Sequence, residues 1–514
     1  MTNVGSILSH AARVHGDRIG IRCGPLARTY EQIDARASAF ASSLAAAGVQ
    51  PGDRVVLLQH NGPALLESLF AVLKAGAVAV PVNARLHPLE YAYIIEHCDA
   101  AAVVFGPSFA AGLDSTGACR GRRAVVTADA LPWAAAMEDW IRSGNPAFAD
   151  VERTPDDLAW LFYTSGTTGR PKGAMITHGN LRFMCDQYPS EVRQVSPGEV
   201  CLHVAPLTHA GGLWALPLTE AGAQHLLTET ASFDPDAVLA LVERSRAAQV
   251  VFMAPTMLTM LLDTPGIDRY DTSSLQLVGY GGSPAYSSEL QRAVARFGPV
   301  FCQIYGQGEC PMTITMLAPE EHAEGRPRRA EVLTSAGKRR EGIEVAVLGP
   351  DDAVLPAGAV GEVGVRGPVV MRGYWRDDDA TSAAFANGWY HTGDIGRFDD
   401  DGYLYLLDRV KDLIITGGSN VYGREVEDVL LLHPGVVEAA VIGVPDRVWG
   451  EVVTALVVGR DGRAPAVADL EALCAERLAG YKKPRRWEFV GSLPKNGYGK
   501  VLKRELRQER SVMP

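Results

Sequence analysis

From Tyr163 to Gly173 the chain reads Tyr-Thr-Ser-Gly-Thr-Thr-Gly-Arg-Pro-Lys-Gly, a run that concentrates anion-binding chemistry. Gly166, Gly169 and Gly173 let the backbone approach an anion and present successive N–H groups. The hydroxyls of Thr164, Ser165, Thr167 and Thr168 add donors, and Lys172 adds a full positive charge. The apolar Leu161-Phe162-Tyr163 predicts a strand feeding a loop that wraps a nucleotide triphosphate. This is not a Walker loop, which needs glycine directly before its lysine where this chain has Pro171, and the GxGxxG fingerprint is absent. Taken alone, a Gly/Ser/Thr cluster is more often a flexible surface loop, so the rest of the chain has to decide.

Six more stretches carry chemistry. Gly279-Tyr280-Gly281-Gly282-Ser283-Pro284 follows an apolar strand ending at Val278, where open α/β sheets gather ligands; its plain reading is a strand-to-helix turn. In Ile304-Tyr305-Gly306-Gln307-Gly308-Glu309 an aromatic ring precedes a carboxylate by four residues, a pairing suited to covering a base and holding Mg²⁺. Asp394, in Trp389-Tyr390-His391-Thr392-Gly393-Asp394, is able to accept from both hydroxyls of a ribose, and Arg409, in Asp408-Arg409-Val410-Lys411-Asp412, complements ribose or phosphate. Without further context both read as surface ion-pair residues. The same holds for Lys500 near the C-terminus, an ordinary basic tail residue by composition, and for His209 in Ala205-Pro206-Leu207-Thr208-His209-Ala210-Gly211-Gly212, an ordinary hydrogen-bonded core histidine.

Together, and in this order from Tyr163 to Lys500, these motifs resemble those of the adenylate-forming superfamily, which contains acyl-coenzyme A synthetases, stand-alone adenylation domains and firefly luciferases. The resemblance implies an ATP site built from Thr164, Ser165, Gly166, Thr167, Thr168, Gly169 and Lys172 around the phosphates. It adds Gly281, Gly282, Ser283, Tyr305, Gly306 and Gln307 at the adenine, and Asp394 and Arg409 at the ribose. Glu309 and Thr164 are the implied Mg²⁺ neighbours. Lys500 matches the lysine that reaches the reacting carboxylate and α-phosphate, while Lys495 is the earlier lysine of that motif. His209, Gly212, Leu213, Tyr280, Gly281 and Cys310 are implied at the acyl pocket, with general-base duty for His209 left open. Gly417, Gly418 and Tyr422 are implied at the pantetheine tunnel of coenzyme A, and Lys411 at a hinge. Two departures stand out: Gly423 replaces a proline found in many acyl-coenzyme A synthetases, and Cys310 follows Glu309 where relatives vary.

The implied reaction has two steps. A carboxylate, ionised at neutral pH because its ordinary pKa lies near ~4, displaces pyrophosphate from ATP; a thiol then takes the acyl group from the adenylate. No general base is needed in the first step, so rate comes from positioning and from cations that follow the developing charge. The family swings its small domain about the hinge between steps, withdrawing Lys500 and presenting residues 417–422. The leading expectation is a carboxylate–coenzyme A ligase for an aryl, cyclic or medium-sized acid. Beside it stand adenylation with another acceptor (a carrier-protein thiol or an amine), adenylation of an unusual oxyacid such as nitrite, and an inactive nucleotide-binding module.

The elements that must position these residues are legible too. Val55 to Leu58, a helix carrying Leu65, Leu66, Leu69, Phe70, Val72 and Leu73, and Val78 to Val82 form a β–α–β pattern. Further strands are predicted at Val103 to Phe105, Val250 to Met253 and Leu275 to Val278, with a helix at Asp236 to Arg244. After about residue 330 short strands and Gly/Pro/Asp turns predict a small barrel-like β subdomain. From Asp412 a helix at Arg424 to Leu432, strands at Val436 to Ile442 and Val452 to Val458, and a helix at Ala468 to Leu478 predict a small α+β domain. The fold expected is therefore α/β. Its large N-terminal domain, residues 1–408, has two doubly wound sheets and the β subdomain; residues 409–411 form the hinge and residues 412–514 a small mobile C-terminal domain.

Composition narrows the classes. A net charge of −11 over 514 residues argues against a general nucleic-acid binder. Eight cysteines without CxxC spacing predict reduced thiols and no zinc, and hence a cytoplasmic protein. No signal peptide is indicated at the start, and Glu67 and Lys74 interrupt the most apolar early run, so no membrane span is expected. The expected partners are small molecules, and family members are monomers or homodimers.

Overall fold

Arg54–Leu58 and Val78–Pro81 pair in parallel, Val55 opposite Ala79 and Val56 opposite Val80, with the helix Pro63–Lys74 crossing between them. Pro63 suits the first turn because a helix start leaves its N–H groups unbonded anyway. Val55 to Leu58 and Val78 to Val80 are completely buried, as strands of a parallel sheet covered on both faces must be. The structure, a computed structural model, describes residues 3–128, 130–164, 170–230, 232–283, 285, 287–495 and 501–511. These divide into two compact units, one comprising Met1–Glu344 and Val365–Tyr390, the other Val345–Gly364 and His391–Pro514.

The first unit holds two large sheets. In the seven-stranded sheet the order is Ala135–Ala136, Ala124–Thr127, Ala102–Phe105, Arg54–Leu58, Val78–Pro81, Leu158–Thr164 and Lys172–Thr177, parallel except for the last pair. The nine-stranded sheet has a parallel centre running from Phe301–Tyr305 through Leu277–Gly281, Gln249–Met253, Val200–His203 and Gln224–Leu227 to Ile19–Cys23. Antiparallel strands flank it at both edges. One boundary departs from expectation. The predicted Leu275 to Val278 strand runs instead over Leu277–Gly281, so Gly279, Tyr280 and Gly281 lie in the sheet, opposite Cys302, Gln303 and Ile304, and not in a turn after it. Glycine is uncommon inside strands and marks a place where something else comes close.

The second unit draws one sheet from Glu344–Leu348, Gly361–Arg366, Trp389–Phe398 and Leu404–Arg409, the last two antiparallel. Its other sheet runs Ser419–Val421, Ile414–Thr416, Gly450–Gly459 and Val436–Asp446, with Arg486–Phe489 parallel to Gly450–Gly459. The Val436–Asp446 strand extends past the predicted Ile442 and includes Pro445, opposite Glu451. Proline is tolerated there because the strand lies at the end of the sheet order and needs no donor on its open side. Among the described residues no helix is long and apolar enough to cross a membrane.

The core of the first unit contains charge and several imidazoles. Lys74, 1% exposed, is bracketed by Asp34 at 2.6 Å and Asp150 at 2.7 Å, so its ammonium is paired on two sides. His203 Nε2 lies 2.9 Å from His225 Nδ1, and His225 Nε2 lies 2.9 Å from Thr219 Oγ1. Burial pushes His178, His225 and His322 each down to about 4. The folded chain therefore keeps these rings neutral, whereas the unfolded chain protonates them below about pH 6.5. Stability is complete above that pH and falls as the pH drops toward 4, by about 1.4 kcal/mol per pH unit for each histidine. Calorimetric melting between pH 7.5 and 4.5 is expected to give a flat upper limb and a steep fall below 6.5; a flat profile throughout would contradict neutral core imidazoles.

Candidate active site

Leu158–Thr164 returns as Lys172–Thr177 in an antiparallel hairpin, with Tyr163 opposite Gly173 and Thr164 opposite Lys172. The incoming strand was expected; the returning one was missed, although Ala174 and Ile176 carry the alternating burial that signals it. Of the predicted loop residues, Ser165, Gly166, Thr167, Thr168 and Gly169 lie outside the described residues. Its flanks are pinned. The Tyr163 hydroxyl sits 2.7 Å from His97 Nδ1, and the Arg170 guanidinium lies 5.4 Å from the centre of the Tyr93 ring, which stacks on His97. Lys172 Nζ lies 5.2 Å from the centre of the Tyr374 ring.

The second component comes from the turn after Phe301–Tyr305. Gln307 N–H donates to the Cys310 carbonyl at 3.0 Å, and Cys310 N–H returns a bond to Gln307 at 3.2 Å, which closes a tight turn around Glu309. A Cβ on Gly308 would lie 2.6 Å from both Phe162 Cδ1 and Thr164 Cγ2, so only glycine lets this turn press against the phosphate strand. As a result Glu309, 7% exposed, accepts a hydrogen bond from Thr164 Oγ1 at 3.0 Å. The same carboxylate oxygen accepts from the Tyr374 hydroxyl at 2.9 Å, and the Glu309 carbonyl accepts from Met371 N–H at 2.8 Å. Gln307 Oε1 accepts from the Tyr390 hydroxyl at 2.8 Å, and Tyr305 is buried beside this turn. Burial, reinforced by the Glu309 charge, pushes both Tyr374 and Tyr390 well above the ordinary phenol value, so each stays a donor. Neither tyrosine was read from the sequence. The signal available was the Gly-Tyr-Trp run at 373–375, whose aromatics read as plain core.

His209 precedes the helix Ala210–Glu220, its ring edge-on to Phe162 at 5.0 Å and its Nδ1 3.1 Å from Thr208 Oγ1. Burial pushes its imidazole down to about 3. Gly212 and Leu213 follow it, buried, and Trp214 packs edge-on against Tyr188 and Phe252. A Cβ on Gly281 would lie 2.3 Å from the Ile304 carbonyl and 3.2 Å from Phe252 Cζ, so this position keeps the strand ends close. Tyr280 points to the opposite face, fully buried, with its hydroxyl 2.8 Å from His322 Nε2; toward Gly281 it presents backbone alone. Gly282 is exposed and Ser283 half-buried. Cys310 is fully buried, and its thiol is pushed well up by burial and by the Glu309 charge.

In the second unit Asp394 and Arg409 face each other on neighbouring strands, Arg409 Nε 3.1 Å from Asp394 Oδ1. The carbonyl of Lys411, in the turn Val410–Asp412, accepts from Arg507 Nη1 at 3.0 Å. Gly417 and Gly418 form the turn between Ile414–Thr416 and Ser419–Val421, and Tyr422 precedes the helix Gly423–Leu430. Gly423 N–H donates to Asp408 Oδ2 at 2.7 Å, a bond that a proline is unable to make. Lys495 pairs with Glu438, while Lys500 lies outside the described residues.

The model of the AMP-binding enzyme family matches residues 8–375, and that of the AMP-binding enzyme C-terminal domain matches residues 425–500. The chain belongs to the AMP-binding enzyme family. It is 40% identical over 507 residues to a feruloyl-CoA synthase of an Amycolatopsis species, covering 98% of each chain. A fatty acid–[acyl-carrier-protein] ligase, ScoC of Streptomyces coeruleorubidus, is 36% identical, covering 95% of this chain and 92% of its own. The solved structure of the amide bond synthetase McbA from Marinactinospora thermotolerans superposes with a TM-score of 0.88 at 34% identity, covering 98% of this chain and 99% of the other.

For this AMP-binding enzyme the neutral state of His209 has a direct consequence. Burial keeps the imidazole neutral near pH 7, so no titration near the ordinary imidazole value is expected from it. His209→Gln is expected to lower the rate without moving the acid limb of the pH–rate profile between pH 5.5 and 8. Disappearance of a limb near pH 6.5 in the variant would show that the histidine titrates after all.

Proposed function

We propose that this chain is an ATP-dependent carboxylate–coenzyme A ligase releasing AMP and pyrophosphate. One observation carries the reading: the Thr164 hydroxyl and the Glu309 carboxylate meet at 3.0 Å beside Lys172, at the mouth of the phosphate-loop hairpin. That pairing supports a triphosphate site. A hydroxyl and a carboxylate are hard oxygen ligands that suit Mg²⁺, which typically takes one or two carboxylates and completes its shell with phosphate oxygens and water. Among the described residues no cluster of three or more His, Cys, Asp or Glu competes for a metal. When bound, the ion neutralises triphosphate charge.

The residues of the chain divide the remaining work. Lys172 draws the outgoing phosphates, Thr164 and the loop amides fix their orientation, and Tyr305 covers the adenine. Asp394 accepts from the ribose hydroxyls with Arg409 beside it. The family likeness assigns Lys500 to the α-phosphate and the attacking carboxylate. His209 borders the acyl group, and its neutral ring avoids binding the substrate carboxylate as a fixed ion pair. The buried aromatics Phe252 beside Gly281, Trp214 packed on Phe252 and Phe162 against His209 favour a flat acyl group, an aryl or cyclic carboxylate, and the similarity to a feruloyl-CoA synthase supports that class. For the second step Lys411 serves as hinge and residues 417–422 line the approach of coenzyme A, with residues 412–514 as the moving part. The free cysteines fit a reducing cytoplasm.

A second reading changes the acceptor to a carrier-protein thiol or an amine. It is favoured by Gly423, which stands in the tunnel stretch where many coenzyme A ligases have proline, and by the similarities to ScoC and McbA.

Pyrophosphate release across aryl, branched and straight-chain acids, each with and without coenzyme A and with products weighed, separates these readings. An aryl thioester is the expected product, while AMP and pyrophosphate without thioester favour the second reading. Lys500→Ala is expected to slow adenylate formation about 10²- to 10³-fold while leaving thioester formation from a supplied acyl-adenylate within several-fold. Equal loss of both steps would remove Lys500 from the adenylation role.

A further inference from the structure

Lys172 and Glu309 carry opposite charges and both neighbour Thr164, Lys172 opposite it in the hairpin register and Glu309 through its carboxylate. Two such groups in a partly buried site attract each other strongly, and a direct ion pair would consume both. Among the described residues neither forms one. What lies against each of them is Tyr374. Its hydroxyl donates to Glu309 Oε1 at 2.9 Å, and its ring lies 5.2 Å from Lys172 Nζ, within the range of a cation–π contact.

The tyrosine is held firmly. Trp375 N–H donates to the Gly173 carbonyl at 2.8 Å, and Met175 N–H donates to Gly373 at 2.9 Å. Tyr374 itself bridges to Ala174, and its own N–H donates to Thr381 Oγ1 at 2.9 Å. Residues 373–375 thus form a further backbone ladder along the outgoing strand of the phosphate hairpin, which fixes where the ring stands.

We infer that Tyr374 is a positioning residue: a spacer that holds the Lys172 ammonium and the Glu309 carboxylate apart, so that the cation is left for phosphate and the carboxylate for a divalent metal. This rests on the ATP site of the proposed function and assigns a new residue within it. A ring that merely filled space would have no reason to couple the two charges.

Coupling is therefore the test. ATP binding is measured by titration calorimetry in EDTA, and Mn²⁺ binding to the ATP-loaded protein by electron paramagnetic resonance, for the full chain. Tyr374→Leu removes both contacts; metal-free ATP affinity is expected to fall at least tenfold, because Lys172 collapses onto Glu309. Adding Glu309→Gln to that variant should recover most of the loss, since the collapsed partner is then neutral, a gain several-fold larger than the same change gives in the wild-type background, where it only removes a carboxylate from beside the triphosphate. Tyr374→Phe keeps the ring, so metal-free ATP affinity should stay within threefold while Mn²⁺ binds several-fold more weakly. Unchanged ATP affinity in Tyr374→Leu, a loss that Glu309→Gln fails to recover, or unchanged Mn²⁺ affinity in Tyr374→Phe would each overturn the spacer. Wild-type protein that binds no ATP would instead sink the ligase reading on which the spacer rests.

Discussion

The site depends on keeping two opposite charges close without letting them neutralise each other. In the proposed ATP site Glu309 stands near the hairpin Leu158–Thr177 for a metal, and Lys172 stands there for a phosphate. Much of the local structure answers that requirement. Gly308 removes the atom that would hold the Glu309 turn away from Phe162 and Thr164. Thr164 and Tyr374 both donate to one carboxylate oxygen, so the group is oriented by neutral donors and not by a cation. Neutral donors give up a shared oxygen to an incoming ligand more readily than a buried ion pair would, because no charge is left stranded when they do.

The parts of the fold that the sequence makes legible are those where one interaction dominates. The buried strands Val55 to Leu58 and Val78 to Val80 read correctly because continuous apolar runs around an amphipathic helix have few other solutions. Glu309 and Asp394 were singled out by motif spacing, which is readable without knowledge of the fold. What escaped was decided by contacts distant in sequence. Gly279 and Gly281 look like turn residues, yet they sit in a central strand because the Ile304 carbonyl and the rings of Trp214 and Phe252 crowd that face. Tyr374 and Tyr390 look like core aromatics, and only their hydroxyl partners, 65 and 83 positions away, reveal otherwise. Tyr280 shows the converse: Gly279 and Gly281 face Trp214 and Phe252, but the two-residue period of a strand turns the Tyr280 ring away, toward His322.

Gly423 illustrates how a departure from a family pattern acquires a physical meaning. Its N–H binds Asp408, and Lys503 Nζ lies 3.9 Å from the same carboxylate and 2.8 Å from Glu427. Burial raises the Asp408 carboxyl while the Lys503 charge counters the rise. The residue just before Arg409 is thereby tied to the helix that opens at Gly423, across the segment containing Lys411. A proline would remove the amide from this tie, so the exchange bears on how the chain on either side of Lys411 is joined as well as on any tunnel.

The hairpin from Leu158 to Thr177 closes with its own neighbours in the chain, whereas Glu309 reaches Thr164 from 145 positions away and Tyr374 reaches Glu309 from a further 65. During synthesis at about 5–20 residues per second, the hairpin therefore precedes its carboxylate by roughly seven to thirty seconds, and the carboxylate precedes its tyrosine by roughly three to thirteen. In that second interval a nascent chain already carries both charges and nothing between them. The order in which the ribosome delivers these three side chains is the reverse of what would protect the pair from meeting. The separation seen in the finished protein has to be won when the last ladder, at residues 373–375, closes along the strand.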